Sequence, residues 1–302
     1  PRSVDGGRSL KIGDVVVGKI QSYRDFKNFV DDLHIQGRGF VIKPNWSNAY
    51  SYTSVRTLEF LFDSLDGPKT VIEGYTAWRN QLNTSPEPTD FITPRNARRK
   101  WKWIREQDIW FLEYSGIARV LKKYGVEYVN VTEEVWSDRI VNVEEIKNLV
   151  EGKFGSVARQ EMYAFVPQKI YRLRECTLIS LNLTRRTREL LSLSTKNMFG
   201  LIPDPARYGK WHGENDALLP QSIVDINKIY RTLFKTCFWI NELQGSNLFV
   251  GSKNSVKTDT VTSHIMGVDP TKIEYLKLAA KIFGGYDKGL LAKIPSNLIQ
   301  PM

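Results

Sequence analysis

Two segments near the start of the chain place their apolar residues on one helical face, residues 19–36 and Ser54–Leu65. Short apolar runs at Phe40–Lys43 and Thr70–Ile72 lie on either side of the second segment and are typical of buried strands. A strand, a helix and another strand within about 35 residues indicate a βαβ unit with parallel strands.

The same patterns continue along the chain and predict an α/β fold whose open, mostly parallel sheet is flanked by helices. Loops rich in Pro or Gly are predicted at residues 76–94 and 201–219, and residues 140–175 are expected to hold strands and a short helix. Further helices are predicted over residues 95–105, 111–124, 185–198, 221–234, 256–266 and 271–283, and further strands over residues 126–131, 177–181, 236–240 and 248–250.

The chain length and the glycines that interrupt secondary structure limit the possible domain organisation. A poorly constrained lead-in is expected over residues 1–12, where Gly6 and Gly7 interrupt the chain. Residues 13–302 are expected to form the α/β domain, and a division into lobes of residues 13–170 and 171–302 stays open. A chain of 302 residues is long enough for either arrangement.

Charge narrows the classes of partner. The chain has 43 basic and 33 acidic residues, a net charge of +10, which favours nucleic acid, acidic lipid or small phosphates and carboxylates as partners.

Its two isolated cysteines, Cys176 and Cys237, cannot hold an iron–sulfur cluster, and we expect free thiols in a reducing compartment. No apolar run reaches the ~18 residues of a membrane span, and the first residues lack a secretory pattern. We therefore expect a cytoplasmic protein without a membrane span.

The first strand of the βαβ unit ends at Lys43-Pro44-Asn45. Because Pro44 cannot donate a backbone hydrogen bond, sheet pairing should fail there. Lys43 and Asn45 then lie near the carboxyl end of a strand, where open α/β sheets bind ligands. Lys43 is a candidate to hold an anion or move a proton, and Asn45 to orient a ligand. The alternative is a plain turn with a solvated lysine.

Four later residues are candidates for the same site. Lys196 and Asn197 interrupt an apolar stretch, so the lysine must reach solvent, a partner charge or a ligand, or else mark a helix end. His212 lies in the loop of residues 201–219 and is a candidate proton carrier or metal ligand, or an exposed loop residue. Asp259, near the start of a predicted helix, is a candidate to orient a polar group or a metal, or to stabilise the helix dipole.

Two basic groups complete the candidate set. Arg185 and Arg186 follow a predicted strand and are able to clamp a phosphate or carboxylate, or to form a solvated turn. Residues 95–105 form a basic, aromatic segment that is either a polyanion-binding helix or a surface helix with packed tryptophans. Its candidate binding residues are Arg95, Arg98, Arg99, Lys100, Trp101, Lys102 and Trp103.

Four stretches resemble the DUF362 family, an uncharacterised group of bacterial and archaeal proteins. They are Val41–Trp46, Ser194–Gly200 with His212 downstream, the helical stretch around Asp225, and Thr258–Pro270. They follow the family's order and cover most of residues 39–284. The chain departs from the family where Leu183-Thr184-Arg185-Arg186 stands in place of a Lys-Thr-His motif. It also lacks the cysteines of the ferredoxin-like cluster domain that many members carry.

Three hypotheses follow. The first is an enzyme acting on a small anionic molecule in one cleft lined by Lys43, Asn45, Lys196, Asn197, His212 and Asp259. The second is a protein that binds nucleic acid or another polyanion through residues 95–105. The third is a non-catalytic scaffold subunit with a degenerate site, which the departure from the Lys-Thr-His motif favours. The reaction, any metal or other cofactor, and the oligomeric state stay unknown at this stage.

Overall fold

The computed structural model describes residues 9–84, 96–187 and 190–299. The strands are β1 (Leu10–Ile12), β2 (Val15–Lys19), β3 (Phe40–Pro44), β4 (Lys69–Glu73), β5 (Glu127–Asn130), β6 (Thr177–Thr187), β7 (Leu190–Ser192), β8 (Cys237–Leu243) and β9 (Leu248–Ser252). The α-helices are α1 (Tyr23–Leu33), α2 (Val55–Ser64), α3 (Trp101–Tyr114), α4 (Ile117–Tyr124), α5 (Val131–Trp136), α6 (Val143–Phe154), α7 (Gln168–Arg172), α8 (Ser194–Asn197), α9 (Leu219–Leu233), α10 (Ser255–Ile265), α11 (Glu274–Phe283) and α12 (Lys288–Leu291). A π-helical turn covers Tyr208–His212, and short 3-10 turns cover Gln160–Ala164, Met198–Leu201, Glu214–Asp216, Pro270–Lys272 and Ser296–Leu298.

Across these ranges, nine strands form one open sheet in the order β1-β2-β9-β8-β6-β3-β4-β5, with β7 paired to β6. The five strands from β8 to β5 are parallel, and β9, β2 and β1 continue the sheet in antiparallel pairing. The prediction of an α/β fold with an open, mostly parallel sheet flanked by helices is confirmed. The sheet takes strands from both predicted lobes, since β6 pairs with β3; the division into lobes stays a prediction.

Helices cover both faces of the sheet because successive strand residues point to opposite sides. Ile42 of β3 packs on the side of α1, α2 and α4, whereas Val41 packs on the side of α6, α9 and α11. A further apolar cluster joins β2 and β9 to α10 and α12. No helix within the described residues is long and apolar enough to cross a membrane.

The N-terminal region differs from the sequence prediction. Residues 10–12, placed in the lead-in, form β1, and Val15–Lys19 forms β2 in antiparallel register with β9. Helix α1 begins at Tyr23 rather than at residue 19, because Ser22 and Asp25 form a reciprocal cap at its start. Local periodicity missed β2 because its pairing partner, β9, lies more than two hundred residues away along the chain.

Three other predicted segments are corrected. The helix predicted over 111–124 is broken at Gly116, whose φ of 77° lies in the left-handed region, so α3 and α4 are separate. Residues 140–175 carry α6 and α7 instead of strands. In the segment predicted as a helix over residues 185–198, Arg185–Thr187 of β6 and Leu190–Ser192 of β7 are extended because they pair with each other. Among its described residues, the α-helix covers only Ser194–Asn197.

Candidate functional site

Polar side chains from three neighbouring strands meet near the carboxyl ends of the parallel sheet. Strand β3 supplies Lys43 and ends just before Asn45, β6 supplies Ser180 and Asn182, and β8 supplies Asn241. Lys43 lies opposite Ser180 and Asn182 lies opposite Asn241. Each of these residues is buried, so each side chain needs a partner inside the protein.

A chain of side-chain amides crosses these strands. Asn45 Nδ2 donates to Asn182 Oδ1 at 2.7 Å, and Asn182 Nδ2 donates to Asn241 Oδ1 at 2.9 Å. Asn241 Nδ2 then donates to Asp259 Oδ1 at 2.8 Å. Because an amide both donates and accepts, the chain runs in one direction and ends on the carboxylate, which only accepts.

Asp259 on α10 holds the start of α8. Its Oδ1 accepts from the backbone N–H of Ser194 at 3.0 Å and from the Ser194 hydroxyl at 2.6 Å, and its Oδ2 accepts from the Thr195 N–H at 2.9 Å. Burial raises the pKa of Asp259, and these donors oppose that rise by stabilising the carboxylate. The side chain is completely buried, so Asp259 positions the residues that follow Thr195 from inside the protein.

Lys43 and Asn197 form a second buried unit with Glu73 at the end of β4. Lys43 Nζ donates to Glu73 Oε2 at 2.9 Å, to the Pro44 carbonyl at 2.7 Å and to Asn197 Oδ1 at 3.2 Å. Burial lowers the pKa of Lys43 to about 8, although Glu73 opposes the shift. All three ammonium protons have protein acceptors, so in this arrangement Lys43 has no proton left to donate to a ligand.

Gly200 has no side chain, so its backbone packs closely against the ion pair of Lys43 and Glu73. A Cβ atom at Gly200 would lie 2.8 Å from both Lys43 Nζ and Glu73 Oε1. Asn197 Nδ2 also donates to the Lys43 carbonyl at 2.9 Å and to Ser180 Oγ at 3.1 Å. The residues from α8 to Gly200 are thereby packed directly onto the ends of β3, β4 and β6.

Lys196, next to Asn197, has the opposite environment. It is half-buried, and its ammonium group has no hydrogen bond or ion pair with the described residues. Burial lowers its pKa to about 8, and the charges of Arg185 and Arg207 lower it further, whereas Asp216 opposes the shift. Lys196 is therefore a cation held near other cations without an anionic contact.

Arg185 and Arg207 complete a group that we call the cation cluster: Arg185, Lys196 and Arg207. Arg207 is buried and bonds to the carbonyl oxygens of Ile202, Tyr75 and Gly200, and burial lowers its pKa to about 10. Arg185 donates to Ser47 Oγ, whereas its buried Nε has no partner among the described residues. Burial also lowers the pKa of Arg185.

Arg186 does not join this cluster. It is exposed, and as the neighbour of Arg185 on β6 it points to the other side of the strand. The two arginines therefore lie on opposite sides of β6, and the role of Arg186 in ligand binding stays a prediction.

His212 lies beside the cation cluster and pairs with Asp216. Its Nδ1 is 2.6 Å from Asp216 Oδ1, and its ring lies 4.5 Å from the Tyr208 ring and 5.2 Å from the Phe199 ring. Burial lowers the pKa of His212, the hydrogen bond with Asp216 raises it, and the charge of Lys196 lowers it. With Nδ1 directed at a carboxylate, Nε2 is the nitrogen left to exchange a proton with a ligand.

Aromatic side chains lie beside the cluster, and we call Tyr50, Trp78 and Tyr208 its rim. Tyr50 and Tyr208 are 39% and 51% exposed, and both interact electrostatically with Arg185. The Trp78 ring meets the edge of Tyr208 at 5.5 Å, and its buried indole N–H has no acceptor among the described residues. The rim and the cluster together offer a ligand hydrogen-bond donors and exposed aromatic surface.

The basic segment places its tryptophans against the protein. Trp101 Nε1 donates to Glu133 at 2.7 Å, and the Trp101 ring packs edge-on against Trp136 at 5.5 Å. Arg98 stacks on both of those rings and bonds to the Trp136 carbonyl. Trp103 and Lys100 are half-buried, whereas Arg99 and Lys102 are exposed; Arg95 lies outside the described residues. Helix α3 starts only at Trp101, so residues 96–100 form turns, not the predicted helix.

Metal-ligating side chains and thiols form no preassembled site among the described residues. No group of three or more His, Cys, Asp or Glu side chains within the described part of the chain is arranged to hold a metal ion. Cys176 and Cys237 are free and half-buried, and burial raises the pKa of both thiols.

The structure joins most of the predicted candidates, but in two units. Lys43, Asn45, Asn197 and Asp259 belong to connected buried hydrogen-bond networks, whereas Lys196, His212 and Arg185 lie together at the more accessible cation cluster. Sequence reasoning missed the partners Glu73, Asn182, Arg207, Asp216 and Asn241. An amide inside an apolar strand, as in Leu181-Asn182-Leu183, was the one local signal for any of them.

No protein-family model, curated protein or solved structure matches this chain. The resemblance to the DUF362 family therefore stays a prediction.

Proposed function

We propose that this chain is a DUF362-like enzyme that binds the phosphate or carboxylate group of a small molecule at the cation cluster. The observation that carries the proposal is that the charges of Arg185 and Arg207 act on Lys196, whereas none of these three cations has a carboxylate within ion-pair distance among the described residues. Asp216 acts on Lys196, and Glu73 and Asp204 act on Arg207, only from a greater distance. Buried cations normally have anionic partners. An anionic ligand would supply the missing charge and restore the depressed pKa values of these cations.

The resemblance and the geometry support each other in one respect. The stretches that resemble the family, around Lys43, Ser194–Gly200 and Asp259, contact one another through hydrogen bonds. Lys43 and Asp259 are proposed as positioning residues, because their polar atoms are used inside the protein. Lys196 and Arg185 are proposed as the ligand-binding cations.

His212 is the proposed proton carrier. Its Nε2 lone pair would form a bond to an acidic proton of the bound molecule, and the electrons of the broken bond would stay on that molecule. Asp216 would stabilise the resulting imidazolium, and Lys196 would stabilise the new negative charge. Because the pKa of His212 is lowered, its ring is neutral near pH 7 and its Nε2 lone pair is able to accept the proton.

Calorimetric titration with sulfate tests the binding half of the proposal. Lys196→Met should weaken binding about ten- to hundredfold, since a charge-assisted hydrogen bond is lost. Lys281→Met, at an exposed lysine of α11, is the matched control and should bind as the original protein does. Equal affinity in all three proteins would contradict the proposal.

The catalytic half is tested on compounds that bind. Small phosphates and carboxylates are incubated in heavy water, and exchange of carbon-bound hydrogen is followed by proton NMR. His212→Asn should retain binding and lose exchange. Exchange that persists in His212→Asn would exclude His212 as the proton carrier, and binding without exchange of any compound would favour a binding protein over an enzyme that removes a carbon-bound proton.

Nucleic-acid or polyanion binding through residues 95–105 is the second candidate. The exposed charges of Arg99 and Lys102 favour it, but the tryptophans that would contact bases are packed on Glu133 and Trp136. Base stacking requires accessible aromatic faces, so the small-anion site has the stronger support.

A further inference from the structure

The rim of the cation cluster carries aromatic surface that the proposed anion site does not itself require. The Tyr208 side chain is half exposed, and Tyr50 is 39% exposed. Tyr208 is held by contacts with the rings of Trp78 and His212, at 5.5 Å and 4.5 Å between ring centroids. It is therefore an oriented ring with accessible surface beside the cluster, and not a side chain extended into solvent.

Both tyrosines lie within electrostatic range of Arg185, and Arg185 in turn interacts with Lys196. Tyr208 follows Arg207 directly in the chain, and its ring lies 4.5 Å from that of His212. A ligand whose anionic group binds among the cations therefore has the Tyr208 ring within reach. Planar rings stack favourably on tyrosine in offset or edge-to-face geometry, beyond the gain from buried area alone. An aliphatic group of similar size would gain only the area.

We infer that the ligand of the cation cluster carries its phosphate or carboxylate on a planar aromatic ring, which packs against Tyr208 at the rim. This inference rests on the proposed function, because it describes the remainder of the molecule whose anion binds Arg185 and Lys196. The buried Trp78 N–H beside Tyr208 has no acceptor among the described residues. A ring with an acceptor substituent would satisfy it.

Four ligands distinguish a failure of the proposed function from a failure of the inference about the ring. They are phenyl phosphate, methyl phosphate, benzoate and acetate, and each is titrated by calorimetry. The ring-bearing member of each pair should bind about two- to tenfold more tightly than its partner. If none of the four binds, the proposed function fails. If the phosphates or carboxylates bind but the ring makes no difference, the proposed function stands and this inference is overturned.

Variants locate the effect at Tyr208. Tyr208→Leu should abolish the preference for a ring and keep its affinity for methyl phosphate and acetate, which shows that the variant is folded. Tyr208→Phe should retain the preference. Tyr286→Leu changes a tyrosine of similar exposure, 42%, near the C-terminal end of the described chain, and should also retain the preference. A preference that survives in Tyr208→Leu, or disappears equally in Tyr286→Leu, would overturn the inference.

Discussion

Two buried or half-buried lysines, Lys43 and Lys196, differ in what surrounds their ammonium groups. Lys43 donates to three acceptors, one of them the Glu73 carboxylate. Lys196 has no such partner, and its neighbours Arg185 and Arg207 are also cations. Both pKa values fall to about 8, yet only Lys196 has unused capacity to bind a ligand. The difference in role between the two lysines therefore follows from the hydrogen-bond partners of each ammonium group more than from its burial.

The stability of methionine variants separates these roles. Lys43→Met should lower the free energy of unfolding by about 3–5 kcal/mol, because it leaves Glu73 buried without its counter-charge. Lys196→Met should leave stability unchanged or raise it, because it removes a cation from repulsive surroundings. Urea denaturation at pH 7 measures both. A destabilisation of Lys196→Met as large as that of Lys43→Met would mean that Lys196 has a structural partner.

The pH dependence of binding follows from the pKa of Lys196. The ammonium is charged below about pH 8 and neutral above it, so affinity for sulfate should fall as the pH rises through about 8. Sulfate keeps its charge over this range, so the change belongs to the protein. Titrations between pH 6 and pH 10 should show this fall in the original protein, and Lys196→Met should show little of it. A constant affinity across that range in the original protein would exclude Lys196 as the titrating group.

At the element scale, the short helix α8 owes its position to Asp259. Four residues of helix are too few to be stable alone, and the Asp259 carboxylate supplies acceptors for the first two backbone N–H groups. Asn241 adds a donor to the same carboxylate and links it to the amide chain that begins at Asn45. The strand ends therefore determine where α8 presents Lys196.

Asp259→Asn tests this positioning. The new amide would place a donor against existing donors, so we expect a loss of about 1–3 kcal/mol in stability together with weaker sulfate binding. Asp225→Asn is the control: Asp225 is equally buried on α9 and accepts from Ala158 N–H and Gln221. It should lose comparable stability and keep its affinity for sulfate. Equal affinities in the two variants would show that Asp259 is structural only.

The elements that sequence predicted well are those with strong local periodicity. Strands β3 and β4 and helix α2 lie within a few residues of their predicted positions. The end of β6 was predicted as helix because Arg185–Thr187 is extended only through its pairing with β7. The same pairing determines which face Arg185 occupies. A local pattern contains no information about such a partner, so the cation cluster could be predicted only in part.

At the scale of the whole molecule, the net charge of +10 predicts an anionic partner without choosing its size. Part of the excess lies on the exposed residues Arg99 and Lys102, and part lies inside the cation cluster. The first arrangement suits a polymer, whose binding releases counterions and weakens steeply with salt. The second suits a small molecule that fills one site.

A double variant, Arg99→Gln with Lys102→Gln, separates these partners. Sulfate affinity should stay within about twofold of the original value, because both charges are exposed and are screened by salt. Binding to single-stranded DNA is measured in parallel between 50 and 200 mM salt, conditions in which a polyanion partner loses affinity steeply. Tight, salt-sensitive DNA binding that the double variant abolishes would instead support the polyanion function.

The location of a bound anion is the most direct test of the central claim. Crystals soaked in tungstate and measured at its absorption edge should show an anomalous peak within about 3–4 Å of Lys196 Nζ, adjacent to Arg185, because hydrogen-bond donors there lack acceptors. The peak should be absent from crystals of Lys196→Met. Peaks confined to Arg99 and Lys102, with none at the cation cluster, would contradict the account.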